Sequence, residues 1–505
     1  MNTFTYTDMK RVITSLLTII AFLPAFAQND KYDQFLQLAE AKDTTAIYEL
    51  MQDWDRDDPD FYVVASNYYL LKAREEKIVL SPEVPEVGNQ SLIIKSPDNP
   101  DEVVGYFYGE MDYNPVWMQK IYDVLEEGTS RFPDRIDLWF GLVKTYEEAK
   151  DFDGAISTLE RVLDRARLNG EHWLGSQNEP AKENMMTETL QQYFSEFIEG
   201  GATNVQLMKL VDSVLDYNPH SVYFLSDKSA LLSLDWQFDE AIQYARQALE
   251  QDPEDMLVAG NLAYLYSSIN RRQEALDMFL YIQEHSQDPD DLEWAGNSIL
   301  QLREEMNRQY RSIDIKEMKK YARKNAKEYE ALLKRFIDAD ESLTDDELAT
   351  LYFAAPFAGY SRSLNQGDVQ KLINEKEYEE AYQRGKELVN SKDAFSLDLL
   401  MKTASLGEYL NKEYLPYYTR VSMLLRMLQG TGNAKSPDCA MWVTDVSDEY
   451  VIMGLYGMES LSSQSLIYHD GHDIDMMKVR MENGSAFIFY FNVDFSMAIL
   501  DDLFK

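Results

Sequence analysis

The chain has 505 residues, 88 of them acidic and 48 basic, for a net charge of −40 with histidines neutral. A field of that sign repels phosphate backbones and anionic lipid headgroups, which argues against nucleic acid and membrane surfaces as partners. The single cysteine, Cys439, excludes an intramolecular disulfide, so a stable fold must rest on a hydrophobic core.

Lys10 and Arg11 precede an apolar run from Val12 to Leu23; Pro24 breaks it, and Ala25-Phe26-Ala27 supplies the small-x-small pattern of a signal peptidase site. This order predicts a secretory signal over residues 1–27, with Met9 as an alternative start. The run is shorter than the ~20 residues of a membrane span, so no retained anchor is expected. No cysteine follows it closely, so no lipid anchor is expected either. The expected location is periplasmic or secreted.

Residues 28–115 form the next section. From Lys31 to Glu76 they have the pattern of helix pairs, with Asn67-Tyr68-Tyr69 inside an apolar face. Residues 77–114 interrupt it with Pro82, Pro85, Pro97 and Pro100, and the β-rich runs Ser91–Lys95 and Val103–Tyr108 predict an inserted hairpin.

A period of 34 residues then emerges: Pro219 and Pro253 stand 34 apart, as do Ala241 and Ala275. The alanines sit in matching phrases, Phe238-Asp239-Glu240-Ala241-Ile242 and Arg272-Gln273-Glu274-Ala275-Leu276, with an earlier copy at Phe152-Asp153-Gly154-Ala155-Ile156. Trp139, Leu142 and Tyr146 precede Ala155, and Leu262, Ala263 and Tyr266 precede Ala275. Large residues on a first helix and a small one where two helices cross are the pattern of tetratricopeptide repeats. An array is expected over 116–305, with a looser connection at 173–187.

The section 306–436 continues as helices. One long helix is predicted from Ile313 to Asp338, carrying the basic residues Lys316, Lys319, Lys320, Arg323, Lys324 and Lys327 on a solvated face. Thr344 and Glu347 predict a capping box for a helix stopped by Pro356. Further helices are expected at Asp368–Asn390, Ser396–Leu410 and Pro416–Gln429. Past Gly430 the helical period ends, and 437–505 is read as a small antiparallel sheet built from Ala440–Val446, Tyr450–Tyr456, Ser463–Tyr468, Asp475–Met481 and Ser485–Val493. Asn483-Gly484 predicts a type I′ turn, and Ala486–Phe491, nearly all apolar, predicts a central strand. The fold class expected is mostly α: a tetratricopeptide-type superhelix with an inserted β-hairpin and a C-terminal α+β domain.

Phe132-Pro133-Asp134-Arg135 leading into Trp139, Asp252-Pro253-Glu254-Asp255, Asn261-Leu262-Ala263 and Leu351-Tyr352-Phe353 carry a resemblance, as do Gly430-Thr431-Gly432, Asp448-Glu449-Tyr450 and Tyr490-Phe491-Asn492. The chain resembles a group of exported Bacteroidota proteins with N-terminal tetratricopeptide repeats and a C-terminal domain of unknown function. The resemblance covers residues 116–305 and, more loosely, 310–495, and implies architecture and compartment but no activity.

No phosphate loop, nucleotide fingerprint, serine elbow or zinc-protease helix occurs, so no catalytic residue, cofactor or metal is assigned. His469-Asp470-Gly471-His472-Asp473 could hold zinc, but Asp-Gly between strands is ordinary turn chemistry. Cys439 lacks the local signature of a hydrolase nucleophile and is expected to be a packed strand-start residue. The better candidate is the groove lined by first helices, where Lys144, Glu147, Tyr223, Ser226, Asn261 and Tyr264 stand at groove positions beside Asp227 and Gly260. Asn261 matches the carboxylate clamp of some family members, but the basic clamp partners are missing. The expected function is a non-enzymatic scaffold for a protein segment; the alternative is a glycan-binding, metal-binding or hydrolytic module on the C-terminal sheet.

Overall fold

The computed structural model describes residues 30–82, 91–96, 103–182, 185–360 and 366–503, so the expected signal segment lies outside the described residues. Among them, no helix is long and apolar enough to cross a membrane. The chain divides into two compact units between Leu231 and Leu232.

In the first unit, α1 (Asp30–Glu40), α2 (Thr44–Gln52) and α3 (Asp60–Ala73) share a core with α4 (Pro115–Arg131). Helix α3 runs without a break into β1 (Arg74–Ser81). This strand pairs antiparallel with β3 (Val103–Tyr113), which also pairs with β2 (Ser91–Lys95). The expected hairpin is therefore a three-stranded sheet of order β1-β3-β2. Ile78-Val79-Leu80 finds its partner across the whole insertion, so no local turn signal marks it as a strand.

The repeat pair α5 (Ile136–Glu148) and α6 (Phe152–Asn169) buries Trp139, Leu142 and Ala155 as the 34-residue pattern requires. Arg135 fastens it to α3 through a fully buried ion pair with Asp60 at 2.7 Å, supported by Asp137 at 2.7 Å. Helices α7 (Met185–Glu199) and α8 (Asn204–Tyr217) follow, and α9 (Val222–Leu234) crosses the division between the units.

The second unit opens with α10 (Phe238–Gln251), α11 (Met256–Ser268), α12 (Arg272–His285) and α13 (Pro289–Asn307). Ala241 and Ala275 are completely buried. Pro253 lies in the α10–α11 connection, where a residue without an N–H costs no helical bond.

Three helical readings need correction. The predicted helix over 313–338 is two, α14 (Ile315–Lys324) and α15 (Ala326–Ile337), broken at Asn325 with φ −118° and ψ 31°. The apolar stripe is nonetheless correct, because Ala322, Tyr329, Leu333 and Phe336 are all buried. Helix α16 (Asp345–Ala358) has the predicted Thr344–Glu347 capping box but runs past Pro356, ending only where Gly359 adopts φ 86°. Proline removes one N–H there, close enough to the end for the last turn to survive. The predicted helix over 368–390 is likewise a pair, α17 (Gln366–Asn374) and α18 (Tyr378–Val389); α19 (Leu397–Tyr409) and α20 (Leu415–Gln429) follow as expected.

The C-terminal sheet has four strands in the order β4-β7-β6-β5: β4 (Met441–Trp442), β5 (Met458–His469), β6 (His472–Met481) and β7 (Ala486–Asn492). It is mixed, because β4 runs parallel to β7. The predicted strand Tyr450–Tyr456 belongs instead to α21 (Val446–Leu455), whose N-cap Asp445 accepts the Ser447 N–H. A cap of this kind overrides the β-favouring Tyr-Val-Ile sequence. β7 is central, as its apolar composition predicts. Its turn to β6 is a type I turn with a bulge, since only Gly484, and not Asn483, has a positive φ. The double positive φ of a type I′ turn occurs one hairpin earlier, at Asp470 and Gly471.

A final helix, α22 (Asp494–Leu503), was not anticipated. Residues 306–436 and 437–505, distinguished by composition, share one core that runs from Ile313 to Phe495. That core also meets the repeats of its own unit. Trp236 donates through Nε1 to the Phe487 carbonyl at 3.1 Å, with Arg480 over its ring at 4.3 Å, and Asn270 donates to Ser436 Oγ at 3.0 Å.

Candidate functional site

The groove residues inferred from sequence fall in both units. In the first, Lys144 is already occupied, pairing with Glu147 at 2.7 Å and Glu196 at 3.5 Å. Glu147 is sunk between them, and its burial raises its pKa. Tyr223 on α9 is 52% exposed and Ser226 half-buried; burial lifts the neighbouring Asp227 to about 7. Lys144 and Glu147 thus have an internal partner, whereas Tyr223 presents a free ring face.

In the second unit, Asn261 and Tyr264 are both exposed and fall at i and i+3 on α11. Leu257, four residues before Asn261 and 69% exposed, completes the stripe. Gly260 does not belong to it: it faces α13, where a Cβ would meet the Trp294 ring at 3.2 Å. Helices α11 and α13 are each joined to α12 by a short turn and so run the same way. With Gly260 turned toward Trp294, the α11 stripe lies on the same side as Glu293, Asn297, Leu300 and Glu304 of α13, all exposed at i, i+4, i+7 and i+11. The cleft on the second helices, lined by α10, α11 and α12, has its polar groups already bonded within the fold: Arg246 Nε donates to Tyr266 Oη at 2.6 Å, and Tyr281 Oη to the Pro253 carbonyl at 2.6 Å.

The C-terminal domain contains a feature that the sequence reading missed. Glu449 on α21 is fully buried and Asp475 on β6 nearly so, within hydrogen-bond reach of one another. With both ionised, neither Glu449 oxygen nor Asp475 Oδ1 would have a donor. Burial, reinforced by Asp475 and Asp448, lifts Glu449 to about 9, so at neutral pH it holds a proton that it can share with Asp475. Asp448 is differently placed. It accepts from Tyr352 Oη at 2.7 Å and from the Leu397 N–H at 3.2 Å, where the first turn of α19 favours an anion. Gln464 and Tyr450 close the pair from outside.

The signal was present in the spacing. Glu449, Ile452 and Met453 occupy i, i+3 and i+4 on one helical face, and Asp475, Met477 and Val479 alternate on one strand face. Both acids therefore sit in apolar phase. Because Glu449 has no accessible surface, the pair acts on the fold, with no path for a substrate to reach it.

The two histidines of the Asp-Gly turn diverge: His469 Nε2 meets Asp438 at 2.7 Å and His472 Nδ1 meets Asp494 at 2.6 Å. Among the described residues no group of three His, Cys, Asp or Glu side chains is arranged to hold a metal. Cys439 ends a short 3₁₀ turn, a correction to its expected place at a strand start, and its sulfur accepts from Asn270 and Arg272 at 3.6 Å each. The thiol is thus held by donors from the repeats, while both histidines are held by carboxylates.

Residues 316–501, from α14 to α22, match the family described as Domain of unknown function (DUF4919). No curated protein matches the chain. Among solved structures it is similar to YrrB, described as a TPR protein with an unusual peptide-binding site: identity is 12%, coverage 36% of this chain and 84% of that one, and TM-score 0.25. It is also similar to TTC0263, a thermophilic TPR protein of Thermus thermophilus, with 17% identity, coverage of 37% and 92%, and TM-score 0.22. The chain is mostly helical, its helices paired as in tetratricopeptide repeats with Ala241 and Ala275 buried 34 residues apart, and its C-terminal part matches the DUF4919 family.

Proposed function

We propose that this protein is an exported scaffold that holds a segment of another protein against the first helices of its repeat array. The observation that supports this most is the exposed stripe of Leu257, Asn261 and Tyr264 beside Glu293, Asn297, Leu300 and Glu304. Large apolar groups standing exposed on rigid helices, with no packing role, are what a binding face requires. Between α10 and α13 the chain carries 15 acidic and four basic residues, which favours a basic, amphipathic segment as the occupant. Replacing Leu257 and Tyr264 together with serine should weaken partner binding by ~10-fold or more while leaving the melting temperature nearly unchanged.

Export rests on the arrangement of Lys10-Arg11, the apolar run 12–23 and Ala25-Phe26-Ala27. N-terminal sequencing of the natural protein should begin at or near Gln28; an intact Met1 or Met9 would contradict this reading.

A further inference from the structure

The C-terminal sheet ends at β5 in an open edge. β5 hydrogen-bonds to β6 along one side, and among the described residues no strand and no other main-chain bond reaches its other side. Native sheets blunt such edges with lysine, proline, bulges or a covering element. Here the bulges fall only in the first part of the strand, between Met458 and Ser460 and between Leu461 and Ser463. From Ser463 to His469 the pairing is regular. The run Ser460–Tyr468 contains no Asp, Glu, Lys, Arg or Pro. Every residue from Glu459 to Leu466 is exposed, and Tyr468 stands 75% open.

We infer that this edge is a homodimer interface, in which β5 of one copy pairs antiparallel with β5 of a second about a twofold axis at Leu466. Preorganisation favours a second copy over a foreign peptide. An extended peptide must be ordered from a flexible state, and strand addition offsets that cost through pockets that take alternate side chains. β5 has no such pockets beside it, because its own side chains are exposed on both faces. A second copy brings a strand already held by its own β6, so the main-chain bonds form with little further ordering and join two four-stranded sheets into one. The register is also self-complementary. Directly opposed residues in an antiparallel pair share a face. With the axis at Leu466, Leu466 meets Leu466, Ser465 meets Ile467, Gln464 meets Tyr468 and Ser463 meets His469. The bulge before Ser463 and the Asp470-Gly471 turn confine the ladder to this stretch. Charge permits the approach, because no acid opposes an acid: Asp470 falls across from Ser462, and Glu459 lies past the end of the opposing strand. Each chain carries −40, so the remaining repulsion acts at longer range, where physiological salt screens it over ~8 Å.

Light scattering on the purified mature protein at micromolar concentration should give a particle of twice the chain mass. Leu466→Lys sets two ammonium groups directly opposite one another and should be monomeric; because Leu466 is 54% exposed, its helical signal and cooperative melt should be unchanged. Leu466→Glu should behave in the same way. Mixing the two variants should restore the dimer, since each lysine then faces a glutamate across the axis. A wild-type protein that is monomeric throughout, or a dimer that survives Leu466→Lys, would overturn the inference. So would a mixture of the two variants that stays monomeric, because the twofold register requires position 466 to meet itself.

Discussion

Truncation after Gly430 should abolish the native fold of the preceding helices and send the shortened chain into aggregates. The segment removed carries Met441, Val443, Ile452, Met453, Met477, Val479, Phe489, Phe491, Val493 and Phe495, all buried in the same core as α16, α19 and α20. Phe353 would lose Phe495, whose ring lies 5.0 Å away, and Tyr352 would lose Asp448. Trp236 would lose the carbonyl and arginine that cover it. Full burial of a large apolar side chain contributes ~1.5–3 kcal/mol, so these ten together, at roughly 15–30 kcal/mol, exceed the ~5–15 kcal/mol that holds a typical domain together. Calorimetry and light scattering on the truncated chain would decide it. A soluble monomer with a cooperative melt would show that the sheet is a detachable lid and that the shared core is misassigned.

The second large effect concerns Glu449. In the folded protein it keeps its proton up to about 9, whereas in the unfolded chain a glutamate ionises near ~4.3. Between those values unfolding releases a proton, so the folded state loses stability as pH rises from about 5 toward 9. A glutamine carries no such proton yet still offers Asp475 a donor. Glu449→Gln should therefore match wild type at pH 5 and exceed it by on the order of 2–4 kcal/mol at pH 8.5, discounted from the full shift because Asp475 shares the proton. Urea denaturation of both proteins at pH 5, 7 and 8.5 measures the difference. If the gap does not widen with pH, Glu449 is ionised in the fold and the shared-proton account fails.

The parts of this fold legible in the sequence are those in which a single residue type answers a single steric need. Ala155, Ala241 and Ala275 are buried at crossings because no larger side chain fits there, and the fixed period exposes them. Thr344 and Glu347 form their capping box because both partners lie within one turn. What escaped depended on partners far away. Val446–Leu455 is rich in strand formers, but its Asp445 cap and its packing in the C-terminal core make it a helix. Ile78–Leu80 is a strand only because β3 returns to it. Of the candidate groove, Tyr223, Asn261 and Tyr264 are exposed as a binding face requires. Lys144 pairs with Glu196, on a helix some fifty residues downstream that has no visible connection to it in sequence. Glu449 and Asp475 are two among 88 carboxylates, and only their helical and strand phases mark them as inward-facing.

The scaffold reading is tested most directly by partner affinity measured on three proteins side by side: wild type, Leu257→Ser/Tyr264→Ser, and Tyr468→Ser as a control on the exposed outer strand of the C-terminal sheet. The partner is taken from affinity capture on the wild-type mature protein and then purified, and its dissociation constant for each form is read by calorimetry. If the first helices of the array form the binding face, the α11 double variant loses ~10-fold or more while the control binds as wild type does. A partner that binds the α11 variant normally and fails on Tyr468→Ser would contradict the account and place binding on the C-terminal domain.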